Sequence, residues 1–222
     1  MATTGDAAPR RRGRPPDRRS EETLARILRA ARDRFSKVGY AQTSMADIAE
    51  AAGVTPRAIY HYADSKPRLF ALAAEQAYQR FGAEIVARVL TQDDTAARLR
   101  GYVDVFRTLY QDDPGIVAFV SRSALDADRV PELSESLPTW VAGVLDVNEL
   151  VVRDSVERGE LAAGVEPAGA VALLEVFGAG LTLLAGGDRG PEYLAMLDAL
   201  EHLIDGSLFV ARPGVDPAQE FH

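Results

Sequence analysis

The sequence contains no cysteine and only three histidines, and these shortages exclude several kinds of site. Without cysteine there can be no disulfide bond and no thiolate-bound zinc. His61, His202 and His222 are far apart and lack the spacing of metal ligands, so we expect no metal ion and no cofactor. The sequence also lacks a Gly-x-Ser-x-Gly motif and a phosphate-binding glycine loop. We therefore predict that the protein is not an enzyme.

The sequence also lacks a long apolar run and an apolar N-terminus. No run approaches the roughly 20 apolar residues of a membrane span, and the first 19 residues contain six arginines where a signal peptide would have an apolar segment. These absences predict a cytoplasmic protein without a membrane partner.

The net charge of −8 hides a division between the two ends of the chain. Residues 1–70 contain 14 Lys and Arg against 8 Asp and Glu, a net charge of +6, whereas the remainder contains 11 against 25, a net charge of −14. Such segregation is expected when one end binds a polyanion, because the acidic end would be repelled by it.

The segment from Ser44 to Phe70 has the pattern of short helices joined by a tight turn. Ser44 followed by Asp47 resembles a capping box, and Gly53 tolerates the left-handed conformation that ends a helix. Thr55 is then a good N-cap, with Pro56 at the first helical position. Ala49 and Gly53 also predict a close approach of the two helices. This arrangement predicts a helix-turn-helix.

The exposed side chains of the second helix indicate whether this segment is a DNA-binding motif or an ordinary turn between two helices. The alternative is that the turn merely joins two helices of a bundle, whose exposed face would carry Glu and Lys. Here residues 55–62 offer a different set, which can reach phosphates and base edges: Thr55, Arg57, Ala58, Tyr60 and His61.

Residues 1–19 are rich in Ala, Pro, Gly and Arg, and we predict a disordered basic arm. Its Arg-Gly-Arg-Pro core is similar to an AT-hook, which lies in the minor groove of A·T-rich DNA. The alternative is a basic tail that adds affinity without sequence preference. Both interpretations place Arg11, Arg12 and Arg14 on DNA.

No segment shows sustained strand alternation, so the sequence predicts an all-α protein. We expect a helix-turn-helix DNA-binding domain of three helices at residues 20–68, followed by a larger helical domain at residues 69–222. The helices are expected at Glu21–Val38, from Thr43-Ser44, Pro56–Tyr62, from Asp64-Ser65 to Leu90, Leu99–Tyr110, Ile116–Leu125, Leu137–Arg158, Ala168–Leu184 and Tyr193–Phe209.

A specific set of motifs resembles the N-terminal domain of the TetR/AcrR family of bacterial transcriptional regulators. They are Ile27-Leu28-x-Ala30-Ala31-x-x-x-Phe35-x-x-x-Gly39-Tyr40, Thr43-Ser44-Met45-x-x-Ile48-Ala49-x-x-Ala52-Gly53-Val54, Ile59-Tyr60-His61-Tyr62 and Ser65-Lys66-x-x-Leu69-Phe70. The sequence departs from the family pattern at Ala63, usually phenylalanine, and at Pro67, usually acidic.

The resemblance implies sequence-specific binding to a palindromic operator, with repression the commoner mode. It implies that Thr43 and Ser44 contact phosphate, that Thr55, Arg57, Ala58, Tyr60 and His61 lie in and beside the major groove, and that Lys66 contacts the DNA backbone. An Arg57 pair with guanine would read one base. A structural DNA-binding protein without sequence preference or ligand is the alternative.

The resemblance further implies a homodimer joined through its last two helices. A small-residue surface on one helix and an apolar stripe on the next fit such an interface: Val176, Gly180, Leu181, Leu184, Tyr193, Leu197, Leu200 and Ile204. The alternative is that both helices pack inside one protomer.

The resemblance finally implies that the larger domain binds a small-molecule effector of largely apolar character. The candidate pocket residues are the aromatic side chains of the middle helices together with one neutral amide on an apolar helix: Tyr102, Phe106, Tyr110, Phe119, Trp140, Phe177 and Asn148. Ordinary core packing is the alternative for each aromatic residue.

Overall fold

The computed structural model describes residues 18–127, 130, 133, 138–185 and 190–208, which form nine α-helices and no β-strand. The prediction of an all-α fold is confirmed. The helices are α1 (Arg18–Val38), α2 (Met45–Ala52), α3 (Pro56–Tyr62), α4 (Lys66–Arg88), α5 (Thr95–Asp112), α6 (Pro114–Ala127), α7 (Pro138–Glu157), α8 (Pro167–Ala185) and α9 (Gly190–Ile204).

The first three helices and the start of α4 surround one apolar core, and we call this unit the head. Ile27, Ile48 and Ile59 bring one fully buried side chain from each of the first three helices. The Phe35 ring of α1 lies 5.1 Å from the Phe70 ring of α4, in an edge-to-face arrangement. Because each helix contributes to this core, the head is a rigid support for α3.

The remaining helices form the body, and α4 is shared by both units. Helix α5 packs against α4 and α9, whereas α8 packs against α6 and α7. The head contacts the body mainly through α1 on α6. The predicted domain boundary between residues 68 and 69 falls within the first turn of α4, so one continuous helix carries the connection.

Two glycines are required for different reasons. Gly53 has φ of +65° at the end of α2, as the sequence predicts. A Cβ atom there would meet nothing within 4 Å, so the expected role of Gly53 in close helix approach is wrong. That role belongs to Gly101 of α5, where a Cβ atom would lie 2.2 Å from the carbonyl oxygen of Arg88.

Helix α8 corrects the expectation that no segment resembles a membrane span. It is 19 residues long and, by length and composition, is apolar enough to cross a membrane. Small residues separate its large apolar side chains and Glu175 is its single charged residue, so the sequence shows no unbroken run of large apolar residues there. Most of α8 is exposed on the protomer.

The last helix is shorter than predicted. It ends at Ile204, and the chain then turns through Gly206, which has φ of +67°. The expected end at Phe209 lies outside the described residues.

Candidate functional site

Side-chain caps fix the beginning of both helices of the helix-turn-helix. The Ser44 hydroxyl accepts a hydrogen bond from the Asp47 amide at 3.1 Å, and the Asp47 carboxylate accepts one from the Ser44 amide at 2.9 Å. Hydrogen bonds from the Ser44 side chain and backbone lower the pKa of the Asp47 carboxyl. At α3, the Thr55 hydroxyl accepts a hydrogen bond from the Ala58 amide at 3.3 Å. These contacts define where the turn begins and ends.

Helix α3 presents polar side chains on one face and anchors itself through the other. Ile59 is fully buried, and Tyr62 places its hydroxyl 3.2 Å from that of Ser20 on α1. On the opposite face Tyr60 is 54% exposed, and Arg57 and His61 are exposed as well. Thr55 is also exposed and Ala58 is half-buried. The head therefore offers a surface suited to a DNA groove.

Thr43 and Lys66 make contacts within the head itself. Thr43 is 3% exposed, and its hydroxyl donates to the Gly39 carbonyl at 2.8 Å. The expectation that this hydroxyl points outward is therefore wrong. The Lys66 ammonium donates to the carbonyl oxygens of Tyr40 and Thr43, at 3.0 Å and 3.1 Å. It thereby holds the turn between α1 and α2 against the start of α4.

The predicted DNA contacts of the N-terminal arm, Arg11, Arg12 and Arg14, lie outside the described residues.

A mainly apolar cavity of about 550 Å³ lies within the body. Four predicted pocket residues line it: Tyr102, Phe106, Asn148 and Phe177. The Tyr102 hydroxyl donates a hydrogen bond to Oδ1 of Asn148 at 2.8 Å. The volume is in the range of small-molecule sites in proteins.

Two other predicted pocket residues belong to packing elsewhere, which corrects their assignment. Phe119 is fully buried, and its ring lies 5.2 Å from the Phe70 ring. The Tyr110 ring instead packs 4.4 Å from the Tyr193 ring. The side chain of Trp140 lies outside the described residues.

The cavity wall also contains aliphatic residues, whereas the sequence-based prediction comprised aromatic side chains and Asn148. Leu99 and Val103 of α5 line the cavity beside Tyr102 and Phe106. These four residues have the spacing of one helix face, which was the available signal. Tyr78 and Phe81 bring α4 into the same wall.

The predicted dimer residues divide into two groups. On α8, Val176 is 69% exposed and Leu184 is 44% exposed, while a Cβ atom on Gly180 would meet open space. Three others are buried inside the protomer because they pack against the body, which corrects their assignment: Leu181, Tyr193 and Leu197. Leu200 and Ile204 are half-buried and line the cavity.

The head, with a capped turn and an exposed polar second helix, defines a helix-turn-helix DNA-binding protein. Residues 27–73 match the family model for "Bacterial regulatory proteins, tetR family". The uncharacterized HTH-type transcriptional regulator MT1294 of Mycobacterium tuberculosis is 30% identical over 102 residues, covering 46% of this chain and 50% of that protein. The chain thus spans about half the length of this curated relative.

Solved structures share most of the fold at low sequence identity. A TetR-family regulator from Agrobacterium tumefaciens has a TM-score of 0.69 and 18% identity, covering 84% of this chain and 98% of that one. FadR from Bacillus subtilis in complex with stearoyl-CoA has a TM-score of 0.64 and 17% identity, covering 83% and 99%. Residues 27–73 are thus similar to the DNA-binding domain of the tetR family, and the chain shares its overall fold with solved TetR-family regulators.

Proposed function

We propose that the protein is a cytoplasmic transcriptional repressor that binds a palindromic operator as a homodimer and is released by a small, largely apolar ligand. The observation that carries this proposal is the polar outer face of α3, which the buried Ile59 anchors to the core of the head. A helix presented in this way can enter the major groove without rearrangement of its support.

The proposed DNA contacts are the side chains that α3 and the N-terminus of α2 expose to solvent. Arg57 is the candidate for base recognition through the O6 and N7 atoms of guanine. Around it, hydroxyl, aromatic and small side chains are placed to contact phosphates and groove walls: Ser44, Thr55, Ala58, Tyr60 and His61. Thr43 and Lys66, which the resemblance assigns to phosphate, serve in this proposal to position the surrounding backbone. The basic arm adds affinity that depends on salt.

The exposed face of α8 supports the homodimer. Leu173, Val176, Phe177, Leu183 and Leu184 are all exposed on the protomer. An apolar patch of this kind marks an interaction surface, and its two-fold pairing with a second copy would cover the same residues on both. A dimer presents two heads, which explains the expected palindrome.

The cavity and α4 together support control by a ligand. Helix α4 contributes Lys66 to the head and Tyr78 and Phe81 to the cavity wall. A ligand in the cavity therefore contacts the helix that positions the head. For release from DNA, the ligand must bind the DNA-incompetent arrangement more tightly, since equal affinity for both shifts nothing. FadR from Bacillus subtilis, which shares the fold, was solved with stearoyl-CoA.

Selection of bound sequences from a random duplex library tests the proposal. We expect a palindromic consensus, and a small-molecule screen on that duplex should then find compounds that release the protein. Salt-dependent binding without preference between the selected and random duplexes would instead support the non-specific architectural alternative. An operator that no compound affects would leave a repressor without an effector.

A further inference from the structure

A hydrogen-bonded polar pair lies in the mainly apolar wall of the cavity. Tyr102 of α5 and Asn148 of α7 face each other, and the Tyr102 hydroxyl donates to Oδ1 of Asn148 at 2.8 Å. Asn148 is 5% exposed, whereas Tyr102 is half-buried. Burial raises the pKa of the Tyr102 phenol, so this group remains a protonated donor at neutral pH.

The hydrogen bond leaves the two N–H groups of the Asn148 amide available. An asparagine side chain has one oxygen acceptor and two N–H donors, and Tyr102 occupies the acceptor. Among the described residues, no side chain or carbonyl accepts a hydrogen bond from this amide. Because these donors face the cavity, an apolar ligand would separate them from water, so a ligand that supplies an acceptor oxygen is favoured over one that does not.

The other polar groups of the wall provide no partner for an anionic ligand. Glu175 is the one charged residue among the described residues that line the cavity; it repels anions, and its exposure to solvent screens its attraction for a cation. Thr182 already donates its hydroxyl to the Ala179 carbonyl at 2.9 Å. Arg98 acts on the Tyr102 phenol through its charge, but it does not line the cavity and is paired with Asp154 at 2.8 Å. The remaining wall is mainly aliphatic and aromatic, so a carboxylate or phosphate would lose its hydration there without gaining an unpaired cation.

We infer that the effector is an uncharged, mainly apolar molecule whose carbonyl oxygen accepts a hydrogen bond from the Asn148 amide. This inference rests on the proposed function, since it names the class of ligand for the same cavity. Asn148 supplies the donor, and Tyr102 orients it by holding Oδ1 away from the ligand. The aliphatic wall selects for the apolar remainder of the molecule.

A dye-displacement experiment on the full chain tests the inference. The fluorescent dye N-phenyl-1-naphthylamine is bound first, and four probes with matched carbon skeletons then compete with it. The probes are 2-undecanone, 2-methyl-1-undecene, decanoate and 2-aminoundecane, which present a carbonyl, an alkene of similar shape, an anion and a cation. We expect 2-undecanone to bind about tenfold more tightly than the alkene, the gain of one hydrogen bond to a buried donor. Decanoate and the amine should both bind more weakly than the ketone.

Two variants test whether the preference for the ketone over the alkene depends on Asn148. Asn148→Leu removes the donors, so the ketone and the alkene should bind with similar affinity. Tyr102→Phe removes the hydroxyl that orients the amide while the two donors remain, so the ketone preference should shrink without vanishing. Retained binding of the dye by both variants, with a cooperative thermal transition, shows that each has kept its fold.

The outcomes separate this inference from the proposed function. Equal binding of ketone and alkene to the unmodified protein, a ketone preference that survives Asn148→Leu, or tightest binding of decanoate would overturn the inference while the effector cavity stands. A protein that binds neither the dye nor any probe would contradict the effector cavity as well.

Discussion

Arg32 Nη2 of α1 donates to Asp113 Oδ2 at 2.5 Å, and this buried ion pair joins the head to the junction of α5 and α6. Arg32 is 4% exposed, and its Nη1 also donates to the Gln76 side chain of α4. The other carboxylate oxygen of Asp113 accepts a hydrogen bond from the Gly115 amide at 3.2 Å. Helices α1, α4 and α5 and the N-terminus of α6 therefore meet at one guanidinium–carboxylate contact.

Removal of one member of this pair should strongly destabilise the protein. Asp113→Leu leaves the Arg32 guanidinium buried with its carboxylate partner missing, and we expect a loss of about 3–5 kcal/mol in the free energy of unfolding. Urea denaturation measures this loss. The neighbouring Asp112→Leu is the control: Asp112 and its partner Arg80 are both largely exposed, so that change should cost about 1 kcal/mol or less.

The double variant Arg32→Met/Asp113→Leu should recover part of the stability lost in Asp113→Leu, because it leaves no buried unpaired charge in the junction. Arg29, whose guanidinium also lies 3.6 Å from the Asp113 carboxylate, is 70% exposed and stays hydrated. A double variant no more stable than the single one would contradict the assignment of the loss to the uncompensated guanidinium.

Lys66→Met should lower stability without changing the salt dependence of DNA binding. Its ammonium donates to the carbonyls of Tyr40 and Thr43 and lies 4.3 Å from the centre of the Tyr40 ring. The loss of these contacts should cost about 1–3 kcal/mol, measured by urea denaturation. If Lys66 instead neutralises a phosphate, the slope of log affinity against log salt concentration should fall by about 1.

Acidification should remove the contribution of the Ser44–Asp47 cap of α2 to the free energy of unfolding. Hydrogen bonds from Ser44 lower the pKa of Asp47 below its ordinary value of 3.8, so the folded state favours the carboxylate. This stabilisation is fully present above pH 3.8 and is lost as the pH falls through the lower folded-state pKa. The difference in unfolding free energy between the unmodified protein and Asp47→Asn should therefore shrink with acidification. A difference that stays constant down to about pH 3 would contradict this assignment.

Whether an interaction could be predicted from the sequence depends on how far apart its residues lie along the chain. The caps at Ser44 and Thr55 and the turn at Gly53 involve residues within a few positions of each other, so their patterns were sufficient. The partner of Arg32 lies 81 residues away, and no local pattern indicates such a pair. Long-range packing sets its geometry.

Apolar periodicity similarly identifies a buried face but not what covers it. Leu197 has the spacing expected for a helix interface, yet α5 and its neighbours bury it fully inside the protomer. Phe119 likewise belongs to the core that joins the head and the body, whereas Phe106 lines the cavity. The choice between core, cavity and interface depends on how helices distant in sequence pack together.

Arg57→Ala should relax base preference at one operator position. Arg57 lies on the exposed face of α3, and loss of a bidentate guanine contact should cost about 1–3 kcal/mol on the selected operator. Arg57→Lys is the control, because it retains the charge but not the two parallel hydrogen bonds. Binding to the operator and to single-base variants of it measures the preference. Equal weakening on every sequence would make Arg57 a phosphate contact.

Val176→Arg should convert the dimer to a monomer. Val176 is 69% exposed at the centre of the apolar face of α8, and in a two-fold interface the substitution would place two positive charges close together without partners. Sedimentation velocity at micromolar concentration measures the oligomeric state. Val86→Arg is the matched control, since Val86 is 56% exposed on a different helix, α4, and that variant should stay dimeric. A monomeric unmodified protein, or a Val176→Arg variant that remains dimeric, would contradict the proposed interface.

Because each protomer carries one head, a monomeric variant should also lose the preference for both halves of a palindrome while it retains weak binding to a single half-site.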